Sequence, residues 1–571
     1  MLKEEQIKQK ERWLELCKEF ERQGDFRAMR VCGREILDMD EKDCDGICIM
    51  AAVAMYMDDM ELAAALIAQI RGIKADHAGA LMVEACIYGK QFQLQEEIRT
   101  LLQVICQIAD LSETERGNRD LDLMIQALKL LGEVCLLAAM PEKAMDAFFK
   151  ASRLEKNIKE KIEQYSNGLF MMHYCDLPLA KVKELHQYYN KLFSKCKLCP
   201  PAVHTHKKIR VGYISPDFHQ HPVAYFIEPL LQKYTKERFK VYCYAAGRCD
   251  YITNRLKKFP VVWREVQLLS AEETAALIYK DEIDILVDLA GHTRDNCLPV
   301  LARKPAPVQV SGIGYFNTTG LGTVDYFLSD VYCDPPECGN KEFTEELLRL
   351  PHSHFCYTPG INMPSAGPAP YEKNGWIAFG CFNNFTKVTD EMLMLWRAVM
   401  ERVPQSCLII KGKICSIPSG RAIVEKRLAR IGIQVKRVEL RPYSSDYLEQ
   451  YRDIDIALDT APYPGGVTTC EALYMGVPVV TLRGKSHGAR FGASLLENAD
   501  LAGLVAESGA LYVEKAVHLA CNKKLLSKMH EGLRAQMQAS SLMNSNQYMK
   551  EIEAAYEKIW QQHLTLLARK C

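Results

Sequence analysis

The chain has 571 residues, 48% hydrophobic and 25% charged, which is long enough for several domains with ordinary cores and excludes a globally disordered protein. Lysine plus arginine equals aspartate plus glutamate at 72 each, which excludes a chain-wide attraction for nucleic acid or anionic membranes. Among the 22 cysteines one pair, Cys196 and Cys199, has the CxxC spacing of zinc ligands, and no second CxxC or histidine pair follows it. With no signal peptide and no apolar run of membrane-spanning length, we expect a cytoplasmic protein with reduced thiols and no bound metal.

Residues 1–200 are predicted to be almost wholly helical, because apolar residues recur at helical spacing and proline and glycine are rare. Turn-like segments recur with the period of a tetratricopeptide helix pair: Asp58 lies 34 positions after Gly24, and Gln91 lies 33 further on. A fourth pair, over 123–138 and 141–154, resembles the same unit. The repeats indicate either a purely structural solenoid or a concave surface that holds a polypeptide, and the two are compatible.

From residue 206 to 357, apolar and β-branched runs such as KIRVGYIS and IDILVDLAG alternate with amphipathic segments such as 271–280. This alternation predicts a parallel, doubly wound α/β domain. A proline- and glycine-rich linker over 358–374 separates it from a second domain of the same kind, 375–571, which ends in closing helices. Two such domains across a cleft are the arrangement of a GT-B glycosyltransferase, although alternation alone also suits other α/β enzymes.

The segment DIDIALDTAPYPGGVTTCEALYMGVPVVTL predicts an anion-binding loop in the second domain. A buried strand ends at Asp459, and a loop containing Gly465 and Gly466 leads into a helix that begins near Thr468. Glycines allow a ligand to approach the backbone, and the unpaired amides and dipole of the helix favour a diphosphate there.

Three side chains at the start of this helix have two interpretations each. The hydroxyls of Thr468 and Thr469 either bind a phosphate or simply cap the helix. Glu471, one turn further, either accepts hydrogen bonds from ribose hydroxyls or only complements the helix dipole.

Asp453 and Asp455 resemble a metal-binding DxD pair, but they enter an apolar strand without an adjoining loop, so we expect no metal there.

Without a metal, a departing diphosphate must be stabilised by amides and cationic side chains. Lys387 follows a strand end of the second domain, with Asn383 and Asn384 as neighbouring donors in GCFNNFTKVTDE. In the first domain His219 and His221 lie in the loop after the opening strand, where catalytic residues of α/β domains tend to lie. Each of these side chains alone is more often structural or solvated.

Taken in order, several motifs resemble the bacterial, SPINDLY-type branch of the O-linked N-acetylglucosamine transferase family. The resemblance covers nearly the whole chain, including the repeats. The motifs that carry it are HQHP at 219–222, AGHT at 290–293, GYFNTTG at 314–320, DPP at 334–336, CFNNFTK at 381–387 and PYPGGVTTCEALYMGVPVV at 462–480.

This resemblance implies an inverting, metal-independent GT-B enzyme that transfers N-acetylglucosamine from UDP-GlcNAc to serine or threonine of proteins, with acceptors held along the repeats. Lys387 then contacts the donor diphosphate, and His221 is the active-site histidine, either as the base or as a positioning group. The other donor-binding residues that the resemblance implies are Gly314, Tyr315, Asn384, Tyr447, Gly465, Gly466, Val467, Thr468, Thr469 and Glu471.

Three positions depart from the family pattern, and they leave the donor open. Val467 stands where animal enzymes have a histidine, Phe316 stands where relatives often have a proline, and Tyr447 replaces a histidine that stacks on uracil. The alternatives are transfer of glucose from UDP-glucose to asparagine, transfer of fucose from GDP-fucose, or an inactive repeat scaffold that only binds protein.

Overall fold

The structure, a computed structural model, describes residues 4–112, 117–202, 204, 206–338, 340–360 and 363–569. The chain divides into two compact units. One comprises Met1–Gln164 with Ile417–Ile423, and the other comprises Tyr165–Ser416 with Val424–Cys571.

The first unit consists of helices in which each helix packs against the next. Their bounds are α1 (Glu4–Gln23), α2 (Phe26–Met39), α3 (Cys44–Tyr56), α4 (Met60–Ile73), α5 (Ala78–Lys90), α6 (Leu94–Asp110), α7 (Asn118–Leu137) and α8 (Pro141–Leu154). Small buried side chains lie where paired helices approach, among them Ala51 and Ala63 in one core cluster. The predicted helical repeats are confirmed.

The repeat is most regular at its turns. Gly24, Asp58 and Phe92 have positive φ angles of 71°, 67° and 53°, and they are 34 residues apart. At the first turn the amide of Gly24 donates to the carbonyl of Glu21 (3.0 Å), and the amide of Asp25 donates to that of Phe20 (2.9 Å). The other two turns repeat both bonds. This is the Schellman ending of a helix, in which a left-handed residue lets the last carbonyls find donors.

The second unit contains two parallel sheets, each with the doubly wound strand order. In the first sheet the order is β3-β2-β1-β4-β5-β6-β7, and in the second it is β10-β9-β8-β11-β12-β13. The strands are β1 (Ile209–Ser215), β2 (Phe239–Ala245), β3 (Val262–Glu265), β4 (Ile285–Asp288), β5 (Val308–Ser311), β6 (Tyr326–Asp330), β7 (Glu346–Leu350), β8 (Ile377–Cys381), β9 (Ser406–Lys411), β10 (Val438–Arg441), β11 (Ile456–Leu458), β12 (Val479–Leu482) and β13 (Val505–Ala506). The chain reverses direction of winding between β1 and β4 and between β8 and β11.

The remaining helices precede, connect or follow the strands. They are α9 (Ile158–Met171), α10 (Leu179–Lys191), α11 (Ala224–Gln232), α12 (Tyr251–Leu256), α13 (Ala271–Lys280), α14 (Leu298–Leu301), α15 (Tyr371–Asn374), α16 (Asp390–Arg402), α17 (Pro418–Ile431), α18 (Val467–Tyr474), α19 (Phe491–Asn498), α20 (Gly509–Cys521), α21 (Lys523–Ala539) and α22 (Ser545–Ala568). Among the helices described, none combines the length and the apolar character needed to cross a membrane.

The unit with the sheets begins at Tyr165, earlier than the boundary near residue 200 expected from the sequence. The reason is a set of buried polar contacts between α9, α10 and the first sheet. Ser166 hydrogen-bonds Nδ1 of His292 (2.7 Å), and Nε2 of His186 hydrogen-bonds the Tyr315 hydroxyl (2.7 Å). These pairs join residues far apart in sequence, so helical periodicity alone does not reveal them.

The C-terminal helix α22 returns to the first sheet. Glu553 accepts hydrogen bonds from the amide (2.5 Å) and hydroxyl (2.8 Å) of Thr235, and the Tyr556 hydroxyl lies 3.4 Å from that of Tyr213. The chain therefore crosses between the two sheet domains twice. The two crossings touch, since the amide of Tyr357 donates to the carbonyl of Leu542 (2.9 Å).

Candidate active site

Two strand ends of the second sheet form the centre of the candidate site. β8 and β11 are hydrogen-bonded neighbours at the point where the winding reverses. Because both are parallel, their carboxyl ends open at the same edge, which is where ligands bind in doubly wound domains. Asn383 follows β8, Asp459 follows β11, and α18 begins a few residues further on.

A buried hydrogen-bond network fixes the loop between β11 and α18. The amide nitrogen of Asn383 donates to Asp459 Oδ1 (3.0 Å) and to the Thr460 hydroxyl (3.0 Å). The same Asp459 oxygen accepts from the backbone amide of Gly465 (2.7 Å), and the Thr468 hydroxyl donates to the Asn383 side-chain oxygen. Burial raises the pKa of Asp459, while the Gly465 amide, the Thr481 hydroxyl and the Thr460 amide have a lowering effect. The loop is therefore held in place before any ligand arrives.

Gly465 lies so close to the start of α18 that no larger residue fits. A methyl group there would lie 2.6 Å from the hydroxyl oxygens of both Thr468 and Thr469. At the next position, Gly466, the nearest atom to such a methyl is a ring carbon of Phe491 at 3.7 Å, an ordinary contact. The two glycines thus have different roles: the first permits close packing, and the second leaves the backbone open.

The amino end of α18 is not capped by a side chain. The helix begins at Val467, one residue earlier than expected, and its N-cap is Gly466. Thr468 lies within the first turn, and its hydroxyl donates to Asn383 instead of accepting from a helix amide, so the capping interpretation is wrong for Thr468. Amides of the first turn lack an intrahelical partner and carry the positive end of the helix dipole.

Lys387, which follows the neighbouring strand β8, places a positive charge against this loop. It ends a short 3-10 turn after β8, and its ammonium group donates to the carbonyl of Pro464 (2.8 Å). The same group lies 4.0 Å from the centre of the Tyr463 ring, within range of a cation–π interaction. Burial lowers the pKa of Lys387 to about 8, against the opposite effect of Asp459, so the side chain is mostly charged at neutral pH.

Asn384, which the sequence analysis placed at the site, faces outward. Its side chain is exposed and its oxygen accepts from the amide of Thr386 (3.2 Å), which caps the 3-10 turn that ends in Lys387. Asn383 instead forms the buried link between the two strand ends. Residue type does not distinguish adjacent asparagines, and the turn that follows the end of β8 at Cys381 decides which one points inward.

Glu471 lies deeper in α18 and bonds to a tyrosine. The Tyr447 hydroxyl donates to Glu471 Oε1 (2.6 Å), and burial raises the pKa of the carboxyl to about 7. The ring of Tyr447 is stacked at 6.5 Å from that of Tyr443, which is 57% exposed. Tyr225 of α11, in the first sheet domain, has a pKa raised mainly by burial and also by the negative charge of Glu471. The two sheet domains therefore face each other at this point.

His221 lies in the loop after β1 of the first sheet, half-buried. Its Nδ1 accepts from the amide of Val223 (3.4 Å) and lies 3.5 Å from Asp217 Oδ1. Burial lowers the pKa of His221 to about 4 and raises that of Asp217 to about 7. The imidazole is therefore neutral at physiological pH and a weak proton acceptor.

Gly314 and Tyr315 follow β5 in the same domain, and Tyr315 points away from the cleft. A methyl group on Gly314 would lie 2.1 Å from the carbonyl oxygen of Leu289, so glycine is required for packing. The Tyr315 side chain is 1% exposed and its hydroxyl is bonded to His186. The next residue, Phe316, stacks on Phe491 with ring centres 4.4 Å apart. Of the two adjacent aromatic residues, Phe316 is the one that faces the second domain.

The two carboxylates of the DxD-like pair, Asp453 and Asp455, bind protein groups outside the candidate site. Asp453 forms an ion pair with Arg441 (2.6 Å), and Asp455 accepts from the amides of Ala378 (2.8 Å) and Tyr371 (3.0 Å). They tie the edge of the second sheet to its linker.

Sequence reasoning missed the ring of Tyr463 beneath Lys387 and that of Phe491 against Phe316. Tyr463 lies within the quoted PYPGG segment, so its position between two prolines before the glycines was the available signal. No sequence signal pointed to Phe491, because it belongs to a different helix, α19.

Two parallel sheets with polar loops at both reversal points, following helical repeats in the chain, define a glycosyltransferase of the GT-B architecture. The chain is a member of glycosyl transferase family 41, whose model matches residues 168–359 and 371–552. This confirms the resemblance found in the motifs.

The chain is similar to two plant proteins named as probable UDP-N-acetylglucosamine–peptide N-acetylglucosaminyltransferase SPINDLY. It is 40% identical to that of Solanum lycopersicum over 361 residues, 62% of this chain and 39% of the relative. It is 41% identical to that of Arabidopsis thaliana over 365 residues, 62% of this chain and 40% of the relative. The chain thus spans about two fifths of the length of these curated relatives.

Among solved structures, the chain resembles a mutant O-GlcNAc transferase of Thermobaculum terrenum. The TM-score is 0.73 at 27% identity, and the match covers 99% of this chain and 100% of that one. This match includes both the helical repeats and the two sheet domains.

Proposed function

We propose that the protein transfers N-acetylglucosamine from UDP-GlcNAc to serine or threonine side chains of other proteins. The names of the SPINDLY relatives and of the Thermobaculum structure support this donor and a protein acceptor. The observation that carries the proposal is the position of Lys387, whose ammonium group lies on the carbonyl of Pro464 in the glycine loop.

The departing diphosphate binds at the amino end of α18. First-turn amides and the helix dipole face it, and the hydroxyls of Thr468 and Thr469 add donors. Lys387 supplies the positive charge, held by the Tyr463 ring and the Pro464 carbonyl in a site from which water is largely excluded. Such preorganised donors stabilise charge that develops as the sugar–phosphate bond breaks, and no metal ion takes part in this step.

The nucleoside lies beside Glu471 and against the exposed ring of Tyr443. As a carboxylate, Glu471 accepts hydrogen bonds from ribose hydroxyls beside the one from Tyr447. The exposed face of Tyr443, stacked with Tyr447, provides a flat surface for the base. Aromatic stacking tolerates both uracil and guanine, so the donor has to be tested directly.

The acceptor hydroxyl attacks the anomeric carbon from the side opposite the diphosphate, which inverts the configuration. His221 orients this hydroxyl or the sugar. Burial lowers its pKa to about 4, so the imidazole binds a proton weakly, and the acceptor proton passes to an oxygen of the departing diphosphate, which becomes more basic as the sugar–phosphate bond breaks.

Protein acceptors are held by the first unit. A cavity of about 410 Å³ is lined by residues of alternate helices, among them Leu14, Cys48, Met82 and Leu123. In its wall Arg119 forms two hydrogen bonds to Asp45, of 2.9 and 2.7 Å. A groove with apolar and charged walls suits an extended polypeptide.

A donor panel tests the proposal. Hydrolysis and transfer are measured with UDP-GlcNAc, UDP-glucose and GDP-fucose, and the sugar and modified residue are identified on host-cell proteins by mass spectrometry. We expect UDP-GlcNAc to be preferred and serine or threonine to be modified. Preference for GDP-fucose, or hexose on asparagine, would replace the proposed donor or acceptor.

The substitution Lys387→Ala tests whether this lysine stabilises the departing diphosphate. Loss of one donor directed at transition-state charge lowers kcat by about 10²–10³-fold. Lys304→Ala is the control, since this half-buried lysine also donates to a backbone carbonyl, that of Thr323 (2.9 Å), and pairs with Asp325 away from the cleft. An unchanged kcat for Lys387→Ala with UDP-GlcNAc removes this lysine from the mechanism.

A further inference from the structure

A second cluster of reactive side chains lies at the strand ends that face the cleft. Cys333 follows β6, His354 follows β7, and His487 follows β12 of the second sheet. Their side chains are buried, with 0%, 0% and 1% exposure. The Cys333 sulfur and one ring nitrogen of each histidine all lie within 4.8 Å of one another.

A carboxylate holds each imidazole through its Nδ1 atom. His354 Nδ1 donates to Asp330 Oδ2 (2.5 Å), and His487 Nδ1 donates to Asp334 Oδ2 (2.7 Å). Such a bond keeps the proton on Nδ1 and leaves the lone pair of Nε2 free. Metal-bound histidines are held in the same way by an outer carboxylate, which fixes both the tautomer and the ring orientation.

The Nε2 nitrogens of the two histidines have no hydrogen-bond partner among the described residues. Nε2 of His354 and Nε2 of His487 are both buried and unpaired. Buried polar atoms are nearly always paired, so an unpaired atom requires an explanation. Protonation does not provide one, because two imidazolium rings 5.3 Å apart would repel each other and each would still lack an acceptor. A cation at the centre pairs with both lone pairs.

The backbone also positions the cysteine for this role. The carboxylate of Asp330 accepts from the amides of Tyr332 (2.9 Å) and Cys333 (2.7 Å), which turns the chain immediately after β6. The same carboxylate accepts from the amide of His354 (3.1 Å). One buried aspartate therefore sets the positions of two of the three side chains.

We propose that Cys333, His354 and His487 bind one divalent transition-metal ion, with zinc the best fit. One thiolate and two imidazoles are ligands that zinc prefers, and bonds of about 2.0–2.3 Å place tetrahedral ligand atoms about 3.3–3.7 Å apart. The present spacing, which is at most 4.8 Å, contracts by up to about 1.5 Å when the ion binds. On binding, the Cys333 thiol loses its proton to solvent, and the ion's charge is balanced by the thiolate and the neighbouring carboxylates.

The ion joins the two sheet domains. Cys333 and His354 belong to the first sheet, whereas His487 precedes α19 of the second domain. Four residues after His487, Phe491 stacks on Phe316 beside the glycine loop. The ion therefore has a structural role, linking the two sheet domains beneath the donor cleft. No step of sugar transfer passes through the metal.

Cobalt substitution of the full chain tests the site. Purified protein is stripped with a chelator and titrated with Co²⁺, a spectroscopic substitute for zinc. We expect one equivalent to bind, with the visible absorption of tetrahedral cobalt and a thiolate-to-cobalt charge-transfer band, and Zn²⁺ to abolish both bands. Cobalt bound at the other convergent group, His204, His206 and Asp284, produces no thiolate band.

Matched serine substitutions identify the sulfur ligand. Cys333→Ser loses the charge-transfer band and binds Zn²⁺ at least about 10–100-fold more weakly. Cys356→Ser retains both properties, because Cys356 is equally buried, at 0% exposure, but lies outside the cluster. Asp334→Asn retains the band and weakens Zn²⁺ binding about 10–100-fold through its effect on His487.

Measurements on the unsubstituted protein make the outcome independent of whether a variant folds. Zn²⁺ is expected to raise the thermal midpoint of the stripped protein and to protect Cys333 from alkylation, as detected by peptide mass spectrometry. Absence of a thiolate band in the cobalt-loaded protein overturns the proposal. So does a band that persists unchanged in folded Cys333→Ser.

Discussion

At the scale of single residues, burial adjusts the titration of the side chains that face the cleft. Burial lowers the pKa of Lys387 to about 8 and raises that of Glu471 to about 7. Both values lie close to neutral pH, which is typical of functional sites and less so of structural ion pairs. The binding of a nucleotide sugar is thus expected to depend on pH over the physiological range.

Glu471 provides the pH test. Below about pH 7 its carboxyl gains a proton and loses an acceptor site for ribose hydroxyls, so KM for the donor rises as pH falls. Tyr447 lowers the pKa of Glu471 by donating a hydrogen bond. Tyr447→Phe removes this bond, and the rise in KM should begin at higher pH. Donor KM is measured from pH 6 to 9, with Tyr443→Phe, whose hydroxyl is not bonded to Glu471, as the control. Identical profiles for all three proteins would contradict this role.

Side-chain identity alone could not assign every residue of the site. Lys387 and the paired glycines were identified because residue type, order and loop position agree. The sequence could not show that Asn383 rather than Asn384 links the strand ends, or that Phe316 rather than Tyr315 faces the second domain. Each choice depends on which way a neighbour points, and that is set by packing against elements distant in sequence.

At the scale of elements, the loop between β11 and α18 distinguishes two adjacent glycines. Gly465→Ala places a methyl 2.6 Å from two threonine hydroxyls, which forces the loop away from the helix. Overpacking of this kind costs about 1–3 kcal/mol of stability. We expect UDP binding, measured by calorimetry, to weaken at least about tenfold, the equivalent of about 1.4 kcal/mol.

The neighbouring substitution is the control for that loop. Gly466→Ala meets no protein atom closer than 3.7 Å and should leave the stability of the fold unchanged, so that any loss of UDP binding there comes from contact between the methyl group and the ligand. Equal losses of stability for the two alanine variants would mean that backbone flexibility, and not close packing, sets the requirement for glycine at position 465.

Buried histidines beneath the first sheet predict acid sensitivity. Burial lowers the pKa of His186 to about 4 and that of His173 to about 3, whereas unfolded histidine titrates near about 6.5. The unfolded state therefore binds protons first, so stability is highest above about pH 6.5 and falls as pH drops toward 4. His186 alone accounts for about 3 kcal/mol of this loss.

Thermal unfolding from pH 7.5 to 4.5 measures the effect. His186→Gln lowers the overall stability, since it breaks the bond to Tyr315, but it should flatten the dependence on pH. The exposed His518→Gln should keep the original slope. A slope unchanged in His186→Gln would show that other groups govern the acid response.

Strand prediction succeeded for the central strands β1, β4, β8 and β11, which lie in largely apolar runs, and it missed β3, β6, β7 and β13. β3 is nowhere buried, β7 alternates only in part, and β13 has two residues. Such strands owe their conformation to the neighbour they pair with, which a local pattern cannot contain.

At the scale of the whole molecule, the first unit is expected to govern acceptor choice and the second unit donor chemistry. The concave cavity is lined by both charge signs, including the exposed Lys74. Lys74→Glu should raise KM for protein acceptors about fivefold, the equivalent of about 1 kcal/mol, while hydrolysis of UDP-GlcNAc is unchanged. Lys42→Glu, an equal charge change at an exposed position outside the cavity, is the control. A matching change in donor hydrolysis would contradict this division.

The two chain crossings that join the sheet domains restrict how the cleft opens. They lie side by side, with the amide of Tyr357 donating to the carbonyl of Leu542 (2.9 Å). Two domains joined by a single flexible segment can reorient in many directions. Two adjacent connecting segments instead favour rotation about the line on which they lie. We therefore expect the cleft to open by a hinge rotation whose displacement is smallest beside Tyr357 and Leu542 and grows with distance from them.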